Sequence, residues 1–160
     1  MNGGNDVGCY HTFGLRTVGF RHRIQFIEYY LKEKIEKDNV GLVVIDGIAD
    51  LVSDVNDLEQ SNNVVQKIME WSQKFSCHII TVIHSNFGSD KPTGHLGSLL
   101  EKKTETQIQL ETNTVNKDWI TVKCKRSRGY AFDTFSFKVN NVGLPEIIGN
   151  LYNPLEGVSF

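Results

Sequence analysis

Three groups of residues have types and spacings that can do chemistry. The first is Asp46, which ends the apolar run Leu42-Val43-Val44-Ile45 and is followed at once by Gly47. A carboxylate in that position is costly unless a cation or a hydrogen-bond donor meets it. It either caps the turn that follows or offers oxygen to a hard cation. The second group is His84-Ser85-Asn86, which closes another apolar run, Cys77 to Ile83. A histidine there is either satisfied inside the core or exposed at the strand tip for hydrogen bonding to a bound group. The third is Lys125, Arg126 and Arg128, just behind Lys123. Guanidinium groups stay charged and grip phosphate oxygens in pairs. Such a cluster at a strand end is also what a solvated hairpin tip carries. Between the second and third groups, Phe87 to Ser98 contains Gly88, Gly94, Gly97 and Pro92, with Lys91 and His95 among them. A loop of this length beside a candidate site is usually functional or mobile.

The elements that must position these residues follow from periodicity. Leu42 to Ile45 does not alternate, the pattern of a strand buried on both faces in a parallel sheet covered by helices. Ligands of such sheets gather beyond the carboxyl ends of the strands, where Asp46 sits. Phe20, Ile24, Ile27, Leu31 and Ile35 recur at helical spacing and predict a helix over Phe20–Glu36. Arg21 and Arg23 lie near its start, where the helix dipole disfavours cations, so each meets another partner or plain solvent. Asn56 or Asp57 is the expected N-cap of a helix over Leu58–Phe75, with Val64, Ile68, Trp71 and Phe75 as its buried stripe. Strand, helix and the strand Cys77–Ile83 then form a parallel crossover unit. His78, at the start of that strand, reads as structural.

Elsewhere the pattern is plainer. Residues 1–8 read as frayed, Cys9 to Leu15 as a short strand, and Lys37-Asp38-Asn39 as a loop. A short helix lies within Leu96–Lys103. Thr106–Glu111, Trp119–Cys124 and Phe135–Val139 alternate, which predicts strands with one buried face carrying Ile108 and Leu110. Their connections fall around Asn113–Lys117 and Ser127–Tyr130. Gly143 to Phe160 reads as loop, since Pro145 and Pro154 oppose further helix. The sum is an α/β fold in a single domain, residues 1–160, with an irregular tail over 143–160.

Composition bounds the partners. A formal net charge of -2 gives no bulk electrostatic reason to expect nucleic acid. Cys9, Cys77 and Cys124 are three in number and widely spaced, with no CxxC pair and no histidine at zinc spacing, which points to a reducing cytoplasmic compartment. The first residues lack the basic and apolar regions of a signal peptide, and no apolar run approaches ~18 residues, so no membrane association is expected. Neither a catalytic-zinc grouping nor a Gly-x-Ser-x-Gly elbow is present.

Taken in order, Leu-Val-Val-Ile-Asp-Gly-Ile-Ala-Asp-Leu over 42–51, a helix, His-Ile-Ile-Thr-Val-Ile-His-Ser-Asn over 78–86 and a Gly-rich loop resemble the second half of a RecA-type ATPase core. The nearest likeness is to the RepA- and DnaB-like ATPases of plasmids and mobilizable elements, over roughly residues 10–147. The resemblance implies a RecA-like three-layer fold, a mainly parallel sheet extended by antiparallel C-terminal strands. It implies that Asp46 is the Walker B acid, holding the magnesium of ATP through water. His84, with Ser85 and Asn86, matches the strand tip that senses the γ-phosphate. Lys125, Arg126 and Arg128 match the basic residues that reach a neighbouring subunit's nucleotide. Gly88, Lys91, Gly94 and His95 belong to the region that faces DNA in the central channel of helicase-like rings. The implied partners are DNA and further copies of the chain, up to a hexameric ring.

One part of the family pattern is missing. The Walker A loop Gly-x-x-x-x-Gly-Lys-Ser/Thr, whose amides cradle phosphate, is absent from the sequence. Gly88-Ser-Asp-Lys91-Pro-Thr-Gly94 has similar residues in the wrong order, and Pro92 removes an amide. The family's catalytic glutamate would lie upstream of residue 1, or its role falls to Asp50. The chain therefore reads as the Walker B half of a DNA replication or mobilization ATPase. ATP and Mg2+ would bind only in a longer chain, with none bound to this chain alone and no ATPase activity from it. The missing strand belongs between the His84 strand and Thr106–Glu111, so these two are expected to close up directly or to find a strand from another chain. A non-catalytic oligomerisation or DNA-contact adaptor that retains the fold is the competing reading. A third is an unrelated doubly wound enzyme with a metal between Asp46 and His84.

Overall fold

The computed structural model describes residues 10–38, 40–86 and 88–148, without the side chains of 35–38. The expectations for residues 1–9, the Ile35 side chain, Asn39, Phe87 and the tail from 149 lie outside these residues. The chain divides into two compact units, Met1–Lys103 and Thr104–Phe160. The architecture is α/β, with a two-stranded parallel sheet in the first unit and a four-stranded antiparallel sheet in the second.

The first unit opens with a 3-10 turn at Leu15–Thr17, and residues 10–14 form no strand. The expected strand there is therefore not found. The alternation of His11 and Phe13 serves a different contact. Phe13 packs edge-on against Phe26 and Tyr30 of helix α1 (Phe20–Asp38), and His11 against Tyr30. Strand β1 (Leu42–Asp46) leads through a 3-10 turn at Ile48–Leu51 to helix α2 (Leu58–Lys74) and strand β2 (His78–Val82). The strands pair in parallel from Leu42 opposite His78 to Asp46 opposite Val82. Asp57 is the α2 cap, its carboxylate accepting from the amides of Glu59 and Gln60.

The core joins Ile45, Ile48, Leu51 and Val52 to Leu31 of α1, to Val64, Val65 and Trp71 of α2, and to Leu96 and Leu100 of helix α3 (Gly94–Lys103). Val43, Ile79 and Ile83 pack against it. The alternate residues Leu42, Val44, Ile80 and Val82 are exposed. This corrects the expectation of strands buried on both faces. An unbroken aliphatic run permits burial on two sides, but only the Val43–Ile45 side meets this core.

Helix α3 begins at Gly94, so the expected loop through Ser98 ends five residues early, at Thr93. Two of the glycines read as loop residues, Gly94 and Gly97, are packing residues. A Cβ on Gly94 would stand 2.6 Å from the Val55 carbonyl oxygen, and one on Gly97 would stand 2.7 Å from Pro92. Gly94 also has φ +69, a conformation that favours glycine.

The second unit is a meander of β3 (Thr106–Thr112), β4 (Trp119–Ser127), β5 (Phe135–Val139) and β6 (Pro145–Ile148) in sheet order β3-β4-β5-β6. β6 occupies ground expected to be loop. Proline is tolerated at the first residue of an edge strand, and the Asn140 side chain shapes the preceding turn by accepting from the amides of Val142 and Leu144. The faces segregate, apart from Trp119 and Ile148 on the polar side. Ile108, Leu110, Ile120, Val122, Phe135, Phe137 and Ile147 share one side through their pairings, and Gln109, Glu111, Thr121, Lys123 and Ser136 share the other. Val122 is buried, but Ile108 and Leu110 are 56% and 64% exposed, against the expectation that they face a core. Among the described strands β2 has only β1 as neighbour and β3 only β4, so the expected closing of β2 on β3 does not occur.

Candidate functional site

The site begins with the two parallel strands ending in register. Asp46 is the last residue of β1 and lies opposite Val82, the last residue of β2. His84, Ser85 and Asn86 follow two to four residues later at the same end. All four residues are exposed. The parallel pairing thus brings the acid and the polar tip to one edge of the first unit. The turn at Gly47 runs beside β2, where a Cβ would make an ordinary 3.5 Å contact with the Val82 carbonyl oxygen.

The segment after β2 is closed on itself. The Asn86 amide donates to the Lys91 carbonyl at 2.8 Å, and Ser85 bridges Pro92 in antiparallel fashion. Thr93 donates to the His84 carbonyl through both its amide, at 3.1 Å, and its hydroxyl, at 2.9 Å. The hydroxyl of Ser89 accepts from the Lys91 amide. These bonds fix the His84 backbone while leaving the imidazole exposed. Gly88 sits at the far bend with φ +68, Lys91 is exposed on the return, and His95 is exposed in the first turn of α3. Gly94 and His95 accordingly belong to a helix.

Asp50, the second acid of this stretch, has a partner that the sequence did not disclose. Arg23 of α1 donates from Nη1 to the Asp50 carbonyl at 2.7 Å and from Nε to the Val18 carbonyl at 3.0 Å, with the Asp50 carboxylate 3.9 Å away. The cation at the unfavourable end of α1 is therefore held by two carbonyls. The position of Arg23 against the helix dipole was the available signal.

Lys125, Arg126 and Arg128 belong to the second unit. β4 continues to Ser127, three residues beyond the expected end, so Lys125 and Arg126 lie within a paired strand. Gln107 pairs with Arg126 and Ile108 with Cys124, which leaves Lys125 as the extra residue of a β-bulge. Both basic side chains are exposed, and Arg128 follows with its amide donating to Glu105.

As a metal site, Asp46 offers one exposed carboxylate. No group of three or more histidine, cysteine, aspartate or glutamate residues among the described residues could hold an ion. That donor set fits a magnesium ion whose other ligands are water and phosphate, the usual preference of this cation. It does not fit an ion caged by protein alone. Among the described residues no helix is long and apolar enough to cross a membrane. The chain matches no family model, and a search of curated proteins finds no similar sequence.

Proposed function

We propose that the chain is the Walker B part of a RecA-like ATPase core from a DNA replication or mobilization protein. The observation that carries this reading is the shared end of β1 and β2, where Asp46 ends one strand and His84-Ser85-Asn86 follow the end of its parallel neighbour, all four exposed. In open α/β sheets that end is where ligands bind. Asp46 would hold magnesium through water, the metal neutralising phosphate charge, and His84 with Ser85 and Asn86 would donate to the terminal phosphate. Lys125, Arg126 and Arg128 would serve a nucleotide held by a neighbouring subunit. Gly88, Lys91, Gly94 and His95 would face DNA. The phosphate grip itself must come from a Walker A loop, which this sequence lacks.

Calorimetry with ATP and Mg2+ tests this on the chain alone and on a version extended upstream in its reading frame. The expected result is no binding by the chain, binding by the extended version, and loss of that binding in Asp46→Asn. An extended version that binds no ATP, or whose binding ignores Asp46→Asn, overturns the proposal.

A second reading is favoured by the exposed apolar residues of both sheets and by the missing phosphate loop. In it the chain is an adaptor that keeps the α/β fold and works through association. A stable assembly with no nucleotide affinity in either version would select it.

A further inference from the structure

His84 lies two residues beyond Val82, where the pairing of β1 and β2 ends. The sheet therefore holds Asp46 but does not by itself hold His84. The residue that holds the His84 backbone is Thr93, nine positions later. Its amide and its hydroxyl both donate to the His84 carbonyl, at 3.1 and 2.9 Å, so one residue fills both lone pairs of that oxygen. Threonine suits this double grip, because branching at Cβ restricts χ1 and keeps the hydroxyl aimed.

Thr93 is itself fixed from the other side. Its carbonyl accepts from the Gly97 amide at 3.0 Å, in the first turn of α3. In the same turn the amide of Leu96, a fully buried residue, donates to the Val55 carbonyl at 3.0 Å. The hydroxyl of Ser61, on α2 and also fully buried, donates to that carbonyl at 3.3 Å. Val55 lies in the connection that leads from the end of β1 to α2. The chain thus leaves the sheet separately at Asp46 and at Val82, and the two departures are tied together again at the start of α3. The His84 imidazole, by contrast, is exposed. A surface side chain that must meet a small group at hydrogen-bond distance takes its geometry from the backbone that carries it.

We propose that Thr93 is a positioning residue for His84, its amide and hydroxyl setting where the imidazole stands relative to Asp46. The proposal rests on the reading of His84 as a donor to the terminal phosphate of ATP. It adds that recognition of that phosphate depends on a hydroxyl that touches no nucleotide and acts through the His84 main chain alone.

Calorimetry with ATP and with ADP, each with Mg2+, on the version extended upstream tests it, because only ATP carries the terminal phosphate. Thr93→Val keeps the shape and removes the hydroxyl. It is expected to weaken ATP binding about tenfold, the size of a misaimed hydrogen bond to a charged group, and to leave ADP binding within about twofold of wild type. Thr93→Ser restores the hydroxyl and is expected to return ATP binding close to the wild-type value. In a His84→Ala background Thr93→Val is expected to add nothing, since it acts through His84. On the chain alone, Thr93→Val is expected to speed hydrogen exchange at the amide of residue 93, and Thr93→Ser is not. Equal losses for ATP and ADP, which a general loosening of the fold would give, overturn the proposal. So do unchanged ATP binding or unchanged exchange in Thr93→Val, a Thr93→Ser variant that behaves as the valine one does, or a further loss on top of His84→Ala. Each of these leaves the nucleotide reading standing. A wild-type extended version that binds no ATP overturns that reading, and this proposal with it.

Discussion

The Arg23 guanidinium reaches across 27 positions of sequence to the main-chain carbonyl of Asp50, at 2.7 Å, and holds the end of the 3-10 turn that follows β1. The Arg23 side chain is only 16% exposed while the Asp50 carboxylate is 60% exposed and 3.9 Å away. The carbonyl bond, more than the ion pair, therefore anchors this turn. Arg23→Met is expected to lower stability by about 1.5–3 kcal/mol, the usual range for hydrogen bonds to a charged group. Asp50→Asn keeps the carbonyl and is expected to change stability by less than about 1 kcal/mol, as exposed pairs do. Urea unfolding of the two variants checks this. An Asp50→Asn effect equal to that of Arg23→Met would show the carboxylate to be the anchor instead.

The Asp57 cap makes stability depend on acid. Backbone hydrogen bonding from Gln60, then its side-chain amide, holds the Asp57 carboxyl below its ordinary value of 3.8. A carboxyl lowered on folding contributes stability that is fully present above its unfolded value and is lost as pH falls through the folded one. Asp57→Ala should therefore lower the urea midpoint at neutral pH, and its gap from wild type should narrow below pH 3.8. A gap that is constant with pH would mean that the cap acts through something other than the carboxylate.

Three glycines in one stretch should respond in a fixed order. Gly94→Ala combines a left-handed backbone with a 2.6 Å approach to Val55 and is expected to cost about 2–4 kcal/mol. Gly97→Ala meets Pro92 without the backbone penalty and should cost about 1–3 kcal/mol. Gly88→Ala has φ +68 but open space around it and should cost about 1–2 kcal/mol. Thermal unfolding ranks them. Gly88→Ala as the most damaging of the three would contradict the packing described for α3.

Burial raises the Cys77 thiol above its ordinary value, and the side chain is 4% exposed beside Trp71. The thiolate is the reactive form. In a Cys9→Ser, Cys124→Ser background, Cys77 is expected to react with a disulfide reagent at the rate of unfolding, and rapidly in urea. Prompt labelling of the native protein would show that the start of β2 opens freely.

What was legible in the sequence was local. The Val64–Phe75 stripe, Asp57 as one of the two caps expected, and the strand starts at Leu42, Thr106, Trp119 and Phe135 all correspond to observed elements, because periodicity and capping act within a few residues. What failed depended on contacts elsewhere in the chain. Alternation places Ile108 and Leu110 on one face, but it cannot say whether anything covers that face. Glycine reads as loop at Gly94 and Gly97, where it permits α3 to approach Val55 and Pro92. Of the candidate site, the common end of Asp46 and His84 followed from two apolar runs ending in polar residues. Arg23 was visible only as a cation in an unfavourable place, and its partner lay 27 residues away.

The bulge at Lys125 makes this strand's response to the loss of a residue depend on which residue is lost. With Lys125 as the extra residue, Arg126 lies opposite Gln107 on the polar face. An in-frame loss of that one codon would restore plain alternation, with Cys124 still opposite Ile108 and Arg126 still opposite Gln107 on the polar face. Exchanging Lys125 for another polar residue would leave the register untouched. Codon 125 should therefore tolerate both substitution and deletion, while loss of codon 123 would set Lys125 opposite Ile108 on the apolar side and be rejected, a signature that a deep mutational library including single-codon deletions would read directly.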